Sequence, residues 1–107
     1  MNPEDLKVPP HSVEAEQSVL GGLLLDNQAW DSIADTLSEG DFYQPHHRLI
    51  FRSIQDLVTR SVPVDAVTLS ERLDQEGLLD KAGGLSYLAD LVKNTPSAAN
   101  IAAYADI

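Results

Sequence analysis

The chain is organised around the stretch between Pro9 and Asp26. Two adjacent prolines cannot continue a helix, and Ser12, which follows closely, is suited to cap one. At about 100° per residue, the next apolar residues fall on one broad arc: Val13, Ala15, Val19, Leu20, Leu23 and Leu24. The other side carries Glu14, Gln17, Ser18 and Gly21. The pattern predicts a capped amphipathic helix that ends at about Leu25.

Glu16 breaks this pattern because it projects into the middle of the apolar arc. A buried carboxylate is costly unless it is paired or hydrogen-bonded. Arg48 and Arg52, on a later helix, are the partners that we expect. A solvated Glu16 in a frayed first turn is the alternative.

Three further helices follow from the apolar spacing. The second runs from about Gln28 to Leu37 and would bury Trp30, Ile33, Ala34 and Leu37. The third and longest runs from about Pro45 to Arg60, with His47 pointing into an apolar face of Ile50, Phe51, Ile54, Leu57 and Val58. The fourth is capped by Asp65, buries Ala66, Leu69 and Leu73, and ends at Gly77, a left-handed C-terminal residue.

Two more helices are predicted after a short helical turn at residues 78–82 and the Gly83-Gly84 hinge. In the fifth, Leu85, Leu88, Ala89 and Val92 would face inward, leaving Tyr87 and Leu91 on a flank that a partner could reach. The sixth would be capped by Thr95 or Ser97 and would align Ala98, Ala102 and Ala105, with Ile101 and Tyr104 beside them. It reaches Ile107 without a stop signal, which favours a helix cut at this point over a frayed natural end.

The six helices predict an all-α fold, a compact bundle with no strand pattern and no internal repeat. We expect a flexible N-terminal arm at residues 1–10 and a globular helical head at residues 11–94. A chain of 107 residues suffices for one such domain.

Charge narrows the possible functions. Seven basic residues against seventeen acidic ones give a net charge of −10. Affinity for nucleic acid depends largely on Lys and Arg, so we expect no direct nucleic-acid binding, and a helix-turn-helix reader is disfavoured. A protein partner with a basic face fits better.

The sequence lacks the residues that several other kinds of functional site require. The chain has no cysteine, no phosphate-binding loop and no run long enough to cross a bilayer, and a cytoplasmic location is expected. Adjacent His46 and His47 point about 100° apart on a helix, which favours structural histidines over a metal site. A carboxylate-pair hydrolase is conceivable, but no motif singles out a pair. We therefore predict no catalytic, cofactor or metal site.

Six stretches, in consistent order from about residue 8 to the end, share a pattern with one family. They are residues 9–21 (PPHSVEAEQSVLG), 41–43 (DFY) with His47-x-x-Ile50-Phe51, 63–65 (PVD) with Thr68-Leu69, 83–88 (GGLSYL), 95–101 (TPSAANI) and 104–107 (YADI). Together they resemble the amino-terminal domain of DnaB-type bacterial replicative helicases.

The resemblance implies a non-catalytic all-α head followed by a helical hairpin, of which residues 95–107 would be the truncated start. The whole protein would be a ring-shaped hexamer whose motor uses ATP and Mg to move along single-stranded DNA in the 5′ to 3′ direction. Its heads would pair into a collar on which the primase C-terminal domain docks. A helicase loader or inhibitor could use the same surface.

The resemblance also implies candidate site residues. Glu14 and Tyr87 would take part in partner docking, and Leu91 joins them as a candidate because it shares the flank of the fifth helix with Tyr87. Self-association would involve Ala98, Ile101, Ala102, Tyr104 and Ala105. The alternative function is a free-standing acidic helical adaptor with an unrelated partner.

Overall fold

The structure, a computed structural model, describes residues 13–95, and these contain helices and no strand. The α-helices are α1 (Val13–Leu25), α2 (Trp30–Ile33), α3 (Pro45–Thr59), α4 (Ala66–Gln75), α5 (Leu79–Ala82) and α6 (Gly84–Lys93). Two 3₁₀ turns lie among them, Asn27–Ala29 directly before α2 and Glu39–Asp41 before α3. The predicted all-α fold is confirmed. The arm at residues 1–10, the Ser12 cap and the sixth predicted helix lie outside the described residues.

One hydrophobic core holds the four longer helices together. α1 packs against α6 and α3, while α4 packs against both α3 and α6. Three aromatic rings pack together in it, with the Phe51 centroid 5.3 Å from that of Trp30 and 4.9 Å from that of Phe42. Apolar side chains without solvent exposure complete it: Leu20, Ile33, Ile50, Ile54, Leu69, Leu73 and Leu88. No helix among the described residues is long and apolar enough to cross a membrane.

Several helix boundaries follow local chemistry that the sequence predicts. The Asp65 side chain accepts the Thr68 amide at 2.8 Å, and the Thr68 hydroxyl accepts the Asp65 amide at 2.9 Å. This reciprocal cap opens α4 by satisfying amides that have no partner inside the helix. Gly77 ends the helix segment in the left-handed region at φ +71°, and Pro45 opens α3. These three predictions are confirmed.

The second helix was predicted too long. Instead of one helix from Gln28 to Leu37, the chain forms a 3₁₀ turn, the four-residue α2 and an irregular turn. Ala34 is exposed rather than buried, and Leu37 is half-buried. The Ile33 carbonyl accepts the Thr36 amide at 2.9 Å, the Leu37 amide at 3.0 Å and the Thr36 hydroxyl at 3.2 Å, and the helix ends in this bonded turn.

The inward face of α6 also differs from the prediction. Leu88 and Leu91 are buried, whereas Leu85 is 47% exposed and Ala89 is exposed. Apolar residues cover more than one arc of this helix, so spacing alone does not select a face. A Cβ on Gly83 would lie 2.8 Å from the Tyr87 Cβ, so this glycine admits a close approach of the Tyr87 side chain.

Gly21 brings α1 and α6 into close contact. It was predicted on the polar side of α1, but it is buried against the end of α6. A Cβ at this position would overlap the Leu91 carbonyl oxygen and the Thr95 hydroxyl. Glycine therefore permits the backbone of α1 to lie directly on the last turn of α6.

Candidate partner-docking site

Glu16 lies at the centre of a buried polar cluster. Glu16 is only 5% exposed to solvent. Its carboxylate accepts hydrogen bonds from His47 Nδ1 at 2.7 Å and from the Tyr43 amide at 2.6 Å. The Gln44 amide donates a longer bond of 3.4 Å. Glu16 is therefore paired, as a carboxylate inside an apolar arc requires.

The predicted partners of Glu16 were wrong. The Arg48 side chain donates instead to the carbonyl oxygens of Phe42 at 2.7 Å and Tyr43 at 3.2 Å, and Arg52 is exposed. The carboxylate accepts backbone amides of the turn that leads into α3, at the end of the helix where the dipole favours negative charge. Backbone amides and the His47 ring at the start of α3 therefore provide the hydrogen-bond donors that were expected from an arginine.

The cluster continues from His47 to Tyr87. Because Nδ1 donates to the Glu16 carboxylate, Nε2 of a neutral His47 accepts the Tyr87 hydroxyl at 2.5 Å. Tyr87 oxygen accepts the Gln17 side-chain amide at 3.1 Å, and His46 Nε2 lies 3.3 Å from it. One continuous set of hydrogen bonds thus joins α1, α3 and α6.

Burial favours the neutral forms of both rings. Desolvation lowers the pKa of His47 below its ordinary value and outweighs the hydrogen bond that His47 donates to Glu16, which raises the pKa. His46 next to it lowers the pKa further. Desolvation raises the pKa of Tyr87, so this phenol remains a hydrogen-bond donor at neutral pH. The neutral His47 agrees with the hydrogen-bond pattern.

The two adjacent histidines converge instead of diverging. Their ring centroids are 4.2 Å apart, and both rings reach the Tyr87 hydroxyl. His47 has no solvent exposure, which confirms its predicted place in the core. Among residues 13–95, no three His, Cys, Asp or Glu side chains gather as metal ligands.

A cleft of about 340 Å³ lies between α1 and α6, and Tyr87 forms part of its wall. α1 contributes Glu14, Gln17 and Ser18, and the α6 side contributes Tyr87, Asp90, Leu91, Asn94 and Thr95. The structure therefore brings together all three residues predicted for partner docking, Glu14, Tyr87 and Leu91.

Leu91 does not lie on an exposed flank as predicted. It is 3% exposed, because the register of α6 turns it toward the core, although it still lines the cleft. Tyr87 is half-buried and Glu14 is exposed. The residues predicted for self-association, Ala98, Ile101, Ala102, Tyr104 and Ala105, lie outside the described residues.

Sequence reasoning missed the other residues of the cleft. Gln17 and Ser18 follow Glu14 at three and four positions, and Asp90 and Asn94 follow Tyr87 at three and seven. Such spacings place side chains on one face of a helix. The polar stripes on α1 and α6 were readable from the sequence, but their juxtaposition depends on how the helices pack.

Comparisons with known proteins agree with this architecture. The family profile described as DnaB-like helicase N terminal domain matches residues 8–107. The crystal structure of the N-terminal domain of DnaB helicase from Mycobacterium tuberculosis superposes with a TM-score of 0.87 at 46% identity, covering 92% of this chain and 71% of that one.

Curated relatives are also similar to this chain in sequence. The replicative DNA helicase DnaB of Haemophilus influenzae is 51% identical over 102 residues, which are 95% of this chain and 22% of that protein. The protein of the same name from Buchnera aphidicola (subspecies Baizongia pistaciae) is 54% identical over 98 residues, 92% of this chain and 21% of that protein. The chain thus spans about a fifth of the length of these relatives. It belongs to the DnaB-like helicase N-terminal domain family.

Proposed function

We propose that this domain is a non-catalytic assembly and docking element of a bacterial replicative helicase. The C-terminal domain of primase would dock on the surface around the cleft between α1 and α6. The observation that carries the proposal is the convergence of Glu14, Tyr87 and Leu91 on one cleft. Family membership and the net charge of −10 support a protein partner.

The proposal extends to the whole protein. Its relatives are named replicative DNA helicases, so the complete protein would be a cytoplasmic ring-shaped hexamer whose motor hydrolyses ATP with Mg. In this proposal the heads form the collar, and residues 95–107 begin a hairpin through which neighbouring heads associate. A helicase loader or inhibitor that bound the cleft would compete with primase.

The cleft has features of a docking site. It is concave, and it combines an aromatic side chain with polar groups on both walls. The Tyr87 hydroxyl is held by Gln17 and His47, so its ring is oriented before any partner arrives. Such preorganisation reduces the entropy lost on binding.

Calorimetric titration of the primase C-terminal domain into the complete gene product tests the proposal. We expect binding with the unaltered protein. Asn94→Trp would fill the cleft from an exposed position and should weaken binding about tenfold or more, a loss typical of a blocked contact. Gln55→Trp, on the exposed face of α3, is the matched control and should bind as the unaltered protein does.

Two outcomes would contradict the proposal. Absence of binding by the unaltered protein removes primase as the partner. Equal weakening by Asn94→Trp and Gln55→Trp, with unchanged melting temperatures, would place the docking surface elsewhere.

A further inference from the structure

We propose that Glu16 and His47 act as positioning residues for Tyr87 and thereby set the affinity of docking, although neither of them lines the cleft. Glu16 determines which nitrogen of the His47 ring carries the proton, and the ring then directs the Tyr87 hydroxyl proton away from the cleft. This inference rests on the proposed function, because it names the buried side chains that would regulate docking at that surface.

The first link is the contact between Glu16 and His47. A carboxylate accepts hydrogen bonds and has no proton to donate, so His47 Nδ1, 2.7 Å from Glu16 Oε1, carries the ring proton. The Tyr43 amide at 2.6 Å and the Gln44 amide at 3.4 Å hold the carboxylate in place. Glu16 is 5% exposed and His47 is fully buried, so the tautomer is determined by atoms that a docked partner does not contact.

The second link is the hydrogen bond between His47 and Tyr87. Burial lowers the pKa of His47, so the ring is neutral at neutral pH and its Nε2 keeps a lone pair. Nε2 therefore accepts the Tyr87 hydroxyl, while the Tyr87 oxygen accepts the Gln17 side-chain amide at 3.1 Å. Tyr87 and Gln17 line the cleft, whereas His47 does not. The hydroxyl proton thus points to a buried ring, and a partner meets a phenol oxygen that accepts hydrogen bonds.

The Tyr87 ring is held by contacts that do not depend on its hydroxyl proton. The His47 ring stacks on it, with 5.9 Å between centroids and 16° between planes, and the centroid of the His46 ring lies 5.2 Å away. Gly83 leaves room for Tyr87, since an added Cβ would lie 2.8 Å from the Tyr87 Cβ. Movement of the His47 proton from Nδ1 to Nε2 would therefore reverse the hydrogen bond to Tyr87 and leave the ring in place.

Glu16→Gln is the substitution that moves this proton with little change in shape. The glutamine oxygen would stay on the Tyr43 amide, so its NH₂ group would donate to His47 Nδ1. The proton of the neutral ring then lies on Nε2, which donates to the Tyr87 oxygen. The Tyr87 hydroxyl has to turn its own proton away from His47.

Nitrogen-15 NMR spectra of the histidine rings test both links without a partner. At about pH 7.5, where an ordinary histidine is neutral, His47 of the unaltered chain should carry its proton on Nδ1. His47 of the Glu16→Gln chain should carry it on Nε2. A proton on Nε2 of His47 in the unaltered chain would overturn the inference, and this measurement requires no substitution.

A double-mutant cycle tests the effect on docking. The primase C-terminal domain is titrated by calorimetry into the complete gene product carrying Glu16→Gln, Tyr87→Phe or both, and thermal melting verifies folding. Glu16→Gln should weaken binding about tenfold and should have little further effect once Tyr87→Phe has removed the hydroxyl. Glu71→Gln, the same change of carboxylate to amide at an exposed position of α4, should bind as the unaltered protein does.

A purely structural role of Glu16 gives a different result. It would weaken binding equally with and without Tyr87→Phe, and that result would overturn the positioning role. Unaltered affinity of the Glu16→Gln protein, after the His47 proton has moved, would also overturn it and would leave the proposed docking function standing. Absence of binding by the unaltered protein would overturn the docking function itself and, with it, the effect of Glu16 on docking.

Discussion

The Glu16 carboxylate and His47 Nδ1 lie 2.7 Å apart in the core, with side-chain exposures of 6% and 0%. This contact joins α1 to α3, and the bond from Tyr87 to the other nitrogen of the same ring adds α6. Hydrogen-bonded side chains therefore connect the turn before α3 to the wall of the cleft between α1 and α6. The fold and the candidate site depend on the same small set of side chains.

Replacement of Glu16 tests the importance of this cluster for stability. Glu16→Ala would remove the acceptor of the buried His47 Nδ1 donor. A buried donor left unpaired costs about 1–3 kcal/mol, so we expect the free energy of unfolding to fall by about that amount. Urea denaturation followed by circular dichroism measures this change.

Glu14→Ala is the matched control, because Glu14 lies two residues away on the same helix and is exposed. Its effect should stay within about 0.5 kcal/mol. Equal effects of the two substitutions would show that the buried cluster does not stabilise the domain.

Protonation of His47 should destabilise the fold. Its pKa in the folded state lies below that of the unfolded chain, which is about 6.5. Between these two values the unfolded state binds more protons, so stability falls as the pH drops through about 6.5 and further toward the folded-state pKa. Three groups face the His47 ring and interact with it: Glu16, His46 and Tyr87.

Urea midpoints at about pH 7.5 and about pH 5.5 measure this effect. The decrease should be smaller in His47→Gln than in the unaltered protein, while His46→Gln should retain most of it. NMR titration of the histidine ring protons checks the same point without a substitution. A His47 resonance that titrates above pH 6.5 would contradict the predicted direction.

Gly21→Ala should destabilise the packing of α1 on α6. The added methyl group would overlap the Leu91 carbonyl oxygen and the Thr95 hydroxyl, so helix backbone would have to move. Overpacking of this kind costs about 1–3 kcal/mol. Gly40→Ala is the control, since the nearest atom to an added Cβ there is Ser38 Oγ at 3.9 Å. A Gly21→Ala protein as stable as the Gly40→Ala protein would contradict the close contact.

Asn27 connects the end of α1 to the connector before α4. Its amide donates to the Leu23 and Val64 carbonyls at 2.9 and 2.8 Å, and its oxygen accepts the Val64 amide at 2.7 Å. Asn27→Ala should lower the free energy of unfolding by about 1–3 kcal/mol, because it leaves the Val64 backbone groups unpaired. Gln28→Ala, at the exposed neighbouring residue, should have little effect in the same urea experiment.

Local chemistry explains which parts of the fold were predictable from the sequence. The cap of Asp65, the left-handed Gly77 and the periodic face of α3 depend on residues close together in the chain. The partner of Glu16 depends on where the turn before α3 lies in space. A carboxylate inside an apolar arc predicts that a partner exists, but charge alone suggested arginine rather than histidine and backbone amides.

The candidate site was predictable only as separate positions. Glu14 and Tyr87 were identified one by one, on two helices that are far apart in sequence. Their meeting at one cleft follows from the Gly21 contact and from the register of α6, and spacing on a single helix specifies neither. Burial of Leu91 and the role of Asp90 in the cleft wall were therefore outside the reach of sequence patterns.

Amide chemical-shift mapping during titration with the primase C-terminal domain would show whether a protein partner docks at the cleft between α1 and α6. We expect the largest shifts on the cleft residues Glu14, Gln17, Tyr87, Asp90 and Asn94. Arg52 and Gln55, on the exposed face of α3, should shift little. The largest shifts on that face of α3, or no shifts anywhere at saturating primase domain, would contradict it.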